Sequence, residues 1–147
     1  DLLTVHGRTR DKYYSGEPDY REIAAAKRAV KIPVIANGGI FSDADAKKMI
    51  AETGADGVMV ARAALYDPHI FAELTGKDAP RDIKRDVLAE IEDMLPFYGE
   101  KFTLVQMRKM TAFYTKGLRG SAEYRKRLFA ADSISALFAI IEEIFPE

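Results

Sequence analysis

Three short apolar runs constrain the fold of this 147-residue chain more than any other feature: Leu2-Leu3-Thr4-Val5, Pro33-Val34-Ile35-Ala36 and Gly57-Val58-Met59-Val60-Ala61. None alternates strictly between apolar and polar residues, and such runs suit strands covered on both faces, as in parallel sheets. Parallel neighbours need a crossover between them. Residues 20–30 and 42–53, rich in Ala, Lys and Glu, supply it as helices. Ser42 with Asp45 three residues on reads as a capping-box start, and Gly54 stands where a glycine ends a helix. The order strand, helix, strand, helix, strand, helix predicts a βα series with right-handed crossovers.

From about residue 78 the strand signals stop. Asp78 and Pro80 read as the cap and first-turn proline of a helix with Ile83, Val87, Ile91 and Met94 on one stripe. Helical stretches follow at 101–116 and 121–129. The last carries Ile134, Leu137, Phe138, Ile141, Ile144 and Phe145 at helical spacing. Residues 1–77 are therefore expected to form about three βα units, and residues 78–147 an all-α bundle of about four helices. The chain opens at Asp1 directly before an apolar run, which is expected of a segment of a longer protein.

At 48% hydrophobic the chain can bury a core, and no apolar run approaches the roughly 18–20 residues that span a bilayer. The absence of Cys excludes disulfides, thiolate metal sites and a cysteine nucleophile within these residues, and fits a cytoplasmic protein. The net charge of −1 names no partner, but it conceals one strongly basic segment. Residues 101–128 hold Lys101, Arg108, Lys109, Lys116, Arg119, Arg125, Lys126 and Arg127 against Glu123 alone.

Ile32-Pro33-Val34-Ile35-Ala36-Asn37-Gly38-Gly39-Ile40 is a strand running into a glycine turn before a helix. Without Cβ atoms, Gly38 and Gly39 let backbone N–H groups approach an anion closely. One βα unit later, Val60-Ala61-Arg62 places a cation at a strand end. The pair matches the phosphate site of a (β/α)₈ barrel, built from the loops after its last two strands. A tight turn with a surface arginine is the plainer reading of the same residues. His6 ends the first strand in Thr4-Val5-His6-Gly7-Arg8-Thr9-Arg10, and with the glycine and two arginines that follow it suits contact with an anionic ligand or a flavin; a structural histidine is the alternative. His69, near a helix start, reads as a surface or packing residue. Residues 107–121 interleave basic and aromatic side chains, and Lys101, Arg108 and Lys116 at seven- and eight-residue spacing are expected on one helix face. Such a face neutralises RNA phosphates while aromatic rings or guanidiniums stack on bases; a solvated face is the alternative. Phe113 is expected in the core either way. Ser-His-Asp, P-loop and zinc motifs are absent, and no metal site is expected.

Together these motifs resemble a family. Val5–Arg10 with Tyr14-Ser15-Gly16 and Asp19-Tyr20, then residues 33–40, then Asp56-Gly57-Val58-Met59-Val60-Ala61-Arg62 and Asp67-Pro68-His69-Ile70-Phe71, are similar to the tRNA-dihydrouridine synthases. Residues 107–121 resemble the same family's C-terminal helical domain, so the likeness covers nearly the whole chain. The resemblance implies an FMN enzyme that uses NADPH to reduce a uridine C5–C6 double bond in tRNA. By position, Asn37, Gly38 and Gly39 would bind FMN after the seventh barrel strand, and Ala61 and Arg62 its phosphate after the eighth. His6 would contact flavin or the target uracil, and Arg8 and Arg10 would meet RNA phosphate. Arg108, Lys109, Lys116 and Arg119 would hold tRNA. Three positions depart from the family pattern: Ala61 for a glycine, His69 for a tryptophan and Met110 for a histidine. The family's general acid is a cysteine on an earlier loop, and a flavin-contacting lysine also lies upstream. No catalytic residue is therefore expected within this chain.

The resemblance thus implies the last βα units of a partial TIM barrel, residues 1–77, followed by a helical tRNA-binding domain, residues 78–147. The whole enzyme is expected to be active and these residues alone inactive. Three parallel strands leave two open edges, so a dimer or strand-swapped assembly is also expected. Two rivals remain at this point: another flavin or sugar-phosphate barrel enzyme, and a non-catalytic RNA-binding module.

Overall fold

The computed structural model describes all residues except Tyr14, Ala79 and Glu147; Tyr14 of the Tyr14-Ser15-Gly16 motif thus lies outside the described residues. The chain divides into two compact units, Asp1–Ala64 with Pro68–Ala79, and Leu65–Asp67 with Pro80–Glu147.

The first unit is a parallel three-stranded sheet, β1 (Leu3–His6), β2 (Val34–Asn37) and β3 (Gly57–Met59), with the strands adjacent in chain order. The crossovers are α1 (Tyr20–Ala29) and α2 (Asp43–Thr53), and two short helices, α3 (Arg62–Tyr66) and α4 (Ile70–Leu74), follow β3. Register pairs Leu3 with Val34, Val5 with Ala36, and Ala36 with Val58, so these side chains share one sheet face. That face meets the buried Ile23, Ala46 and Met49 of the crossover helices. Burying Ile23 and Met49 fully is worth about 1.5–3 kcal/mol each.

The opposite face is open by comparison, with Thr4, His6 and Met59 exposed and Ile35 and Asn37 half-buried. The expectation of strands covered on both faces is thereby corrected: burial alternates along β1 and β2. The apolar run after Gly57 is a strand only to Met59, because Arg62 already begins α3.

Local chemistry fixes the helix ends. The Asp19 side chain accepts from the Arg21 N–H, and Ser42 Oγ accepts from the Asp45 N–H at 3.2 Å. Asp45 Oδ2 in return accepts from the Phe41 N–H at 3.0 Å and Ser42 Oγ at 2.9 Å, which completes the capping box. Gly54 ends α2 in the left-handed conformation, its N–H donating to the Ile50 carbonyl. Asp56 ties the sheet's other end: Oδ2 accepts from Lys27 Nζ at 2.6 Å and from the Val34 N–H at 2.7 Å.

The second unit is helical: α5 (Ile83–Tyr114), α6 (Ser121–Ala130) and α7 (Ile134–Ile144). Helix α5 departs from helical geometry at Gly99 (φ 72°, ψ 168°), three residues after Pro96, whose ring removes an N–H from the ladder. Four helical stretches therefore surround a core of Val87, Ile91, Leu104, Met107, Leu128, Leu137 and Ile141. The start of α5 differs from the expectation of Asp78 and Pro80. Asp82 is the cap, because its side chain reaches the Arg85 N–H at 2.9 Å.

Candidate functional site

The C-terminal ends of the three strands enclose a cleft of about 230 Å³, lined by His6, Arg8, Asn37, Gly38, Gly39, Ile40, Phe41, Met59, Ala61 and Arg62. Clefts that enclose a whole drug-sized ligand usually measure roughly 300–1,000 Å³, so this one frames one end of a larger molecule. Two guanidiniums and no carboxylate are among these lining residues, a composition that favours an anion.

Parallel register brings the polar side chains together. His6 and Asn37 are partners across β1 and β2, and Asn37 is the partner of Met59 across β2 and β3. Asn37 Nδ2 donates to the Met59 carbonyl at 2.7 Å, which fixes the amide with Oδ1 as its remaining acceptor. The Arg8 N–H donates to His6 Nδ1 at 3.3 Å, leaving Nε2 as the nitrogen that Nδ1's acceptor role does not engage. Gly38 sits at φ +128°, and a Cβ there would lie 3.3 Å from the His6 ring. The turn is open because Gly38 has no side chain. Gly7 allows a second close approach, since a Cβ would fall 2.7 Å from Pro18 Cβ.

Arg8, expected to meet RNA phosphate, lines the cleft. Its Nε and Nη2 donate to the Gly16 carbonyl at 3.0 and 2.8 Å, which brings the guanidinium back into the cleft. Nη1 is buried without a hydrogen-bond partner among the described residues. Arg62 lies across the cleft with its guanidinium 5.3 Å from the centre of the Phe41 ring. Phe41 and Met59 were not singled out from sequence; the usable signals were their positions, just past the glycine turn and opposite Asn37. Arg10 lies outside the cleft, in an exposed 3₁₀ turn over Arg10–Lys12. His69 caps α4, its carbonyl accepting from the Ala72 and Glu73 N–H groups, and is not a cleft residue.

In the helical unit the basic residues do not share one face. Lys109 and Lys101 are exposed on α5. The Arg108 side chain instead donates to the Ala131 carbonyl at the end of α6. Lys116 lies beyond the last residue of α5, with Nζ 3.7 Å from the centre of the Tyr66 ring. Arg119 is exposed in the connection to α6. The expected stripe of Lys101, Arg108 and Lys116 is thus corrected: α5 ends too early to carry the third, and a carbonyl engages the second. Phe113 is half-buried, its ring edge-on to Tyr66 at 6.0 Å. The buried Tyr114 phenol is pushed up to about 12, chiefly by burial and then by Glu90, Asp86 and Asp67. Among the described residues no group of three or more His, Asp or Glu is arranged to hold a metal ion, and no helix is long and apolar enough to cross a membrane.

A family model described as dihydrouridine synthase matches residues 1–143, strands and helical unit alike. The chain belongs to the dihydrouridine synthase family. It is 37% identical to the tRNA-dihydrouridine synthase B of Pseudomonas aeruginosa, over 99% of this chain and 46% of that protein. A tRNA-dihydrouridine synthase B of Xanthomonas axonopodis is 38% identical over 97% of this chain and 46% of its own length. A probable tRNA-dihydrouridine synthase of Rickettsia conorii is 42% identical over 84% of this chain and 40% of its own length. The chain therefore spans a little under half the length of these relatives. Because the family match runs through the helices, an unrelated barrel enzyme with a chance helical appendage is set aside.

Proposed function

We propose that this chain is the cofactor-anchoring and RNA-gripping part of an enzyme that reduces uridine in tRNA to 5,6-dihydrouridine, with FMN as its flavin and NADPH as reductant. The observation that carries this reading is the strand-end cleft with two guanidiniums, an open glycine turn and no carboxylate among its lining residues. The residues fit a flavin phosphate: the turn would lose its opening to a Cβ at Gly38, and Arg8 Nη1 is a buried donor with no partner among the described residues. When bound, FMN would supply the hydride that reduces the base. Arg62 and Arg8 would neutralise the phosphate, and the Asn37 Oδ1 and His6 Nε2 would orient the polar edge of the ligand. Ala61 would bring a methyl group where the family usually has a glycine.

In this reading the three βα units are the closing part of a (β/α)₈ barrel, whose interior is the sheet face bearing Thr4, Ile35 and Met59. Lys109 and Arg119 would hold tRNA phosphates, and the enzyme would work in the cytoplasm. The family's cysteine acid is not among these residues, so they alone would not turn over. The test is a flavin-fluorescence titration beside tRNA binding. FMN should bind the chain and lose roughly tenfold or more in affinity on Arg62→Ala, on the scale of a charge-assisted contact. A chain that binds tRNA but whose flavin affinity ignores Arg62 would instead fit a non-catalytic RNA-binding module.

A further inference from the structure

Around the break of α5 at Gly99, the helical unit turns several large apolar side chains outward. Phe97 is 84% exposed, Tyr98 60%, Val105 53% and Phe102 47%. The Tyr98 and Phe102 rings lie 5.0 Å apart with their planes tilted by 32°, a near-stacked pair at the surface. Phe102, Val105 and Lys109 follow at three- and four-residue spacing on one helix face, and Lys101 adjoins Phe102. The opposite face of the same turns buries Thr103, Leu104 and Met107. Core packing therefore does not account for the exposed rings, and contiguous exposed aromatic surface marks an interaction site.

We propose that Tyr98 and Phe102, with Phe97 beside them, form a stacking surface for unpaired bases of the RNA, a contact that rests on the tRNA reading above. The occupant is argued from charge. Lys101 and Lys109 flank the rings, Glu100 is the single acid between residues 97 and 109, and the 101–128 segment holds one acid against eight bases. A protein interface depletes lysine at its apolar centre, whereas a single-stranded nucleic-acid surface interleaves rings with cations. Rings accept any base face, while the lysines reach the flanking phosphates. The surface thus adds contact with unpaired bases to the phosphate grip expected of the basic residues.

The experiment measures binding of tRNA, a short unstructured RNA and a blunt RNA duplex of equal length to wild-type chain and to the Tyr98→Ala/Phe102→Ala, Tyr98→Phe and Lys109→Ala variants. The double variant should lose roughly tenfold or more on the unstructured RNA, keep its duplex affinity, and melt as wild type because both rings are exposed. Tyr98→Phe should keep wild-type affinity, since the ring face is retained. Lys109→Ala should weaken both RNA forms alike. Unchanged affinity in the double variant for the unstructured RNA, with wild type binding tRNA, overturns the stacking surface alone. So does an equal loss on the duplex, or a change in the mass of the particle, which would make the patch a protein contact. A wild-type chain that binds no tRNA at low salt overturns the RNA reading itself.

Discussion

Gly38 is the position at which a single methyl group would test the cleft. Its φ of +128° is one that L side chains rarely adopt, and the added Cβ would press within 3.3 Å of the His6 ring. Gly38→Ala is expected to cost about 1–3 kcal/mol in chemical denaturation and to weaken flavin binding as well. Wild-type stability in that variant would show that the turn is not held as described. Tyr114 gives a prediction in pH. A phenol whose folded value is raised to about 12 from 10 holds its proton more tightly in the folded state. Its stabilising contribution is complete below pH 10 and is lost as pH climbs towards 12. Tyr114→Phe should flatten that alkaline fall in a urea-denaturation series; parallel curves for the two proteins would contradict it. The site was readable where one element carries it: Asn37, Gly38, Gly39 and Arg62 stand at strand ends whose apolar runs are visible in the sequence. Arg8 was named from its place after the first strand, but its fork on a carbonyl eight residues away was not, because no local spacing announces such a contact.

Among the elements, α2 shows how a cap serves the cleft. Ser42 and Asp45 exchange hydrogen bonds and also hold the Phe41 N–H, so the cap fixes the exit of the glycine turn. Ser42→Ala should lower stability by about 1 kcal/mol, read from the urea midpoint; an unchanged midpoint would mean that the cap is idle. Arg108 joins two elements by donating to the carbonyl at the end of α6, so Arg108→Ala should lower the melting temperature while Lys109→Ala should not. Equal melting of the two variants would return Arg108 to the solvent. Helices with a clear apolar period, such as α7, could be placed from their sequence because period and burial coincide. The start of α5 could not, since Asp78 and Asp82 are both competent caps and only the fold decides which side chain meets a free N–H. The strands were recognised, but their burial was not, because an apolar run does not state whether a second layer covers it.

At the scale of the whole chain, β1 and β3 each present one strand edge without a partner among the described residues. Exposed parallel edges invite pairing with another chain, and we propose that these 147 residues taken on their own would self-associate at micromolar concentration. A monomeric mass by light scattering would contradict this. The two units also differ in core size, and amides near Met107, Leu137 and Ile141 should exchange more slowly than those of β2. Faster exchange in the helical unit would reverse that order. The tie between Arg108 and Ala131 has one more consequence, for the ion atmosphere of a bound nucleic acid. Arg127 is likewise engaged, by two hydrogen bonds to the Glu143 carboxylate at 2.7 and 2.8 Å. With both guanidiniums engaged within the protein, Lys101, Lys109, Lys116, Arg119, Arg125 and Lys126 would set the valence of the segment in the RNA reading proposed above. The logarithm of the RNA affinity should then fall against the logarithm of salt with a slope of about 5 at most, where a plain count of basic residues would give about 7.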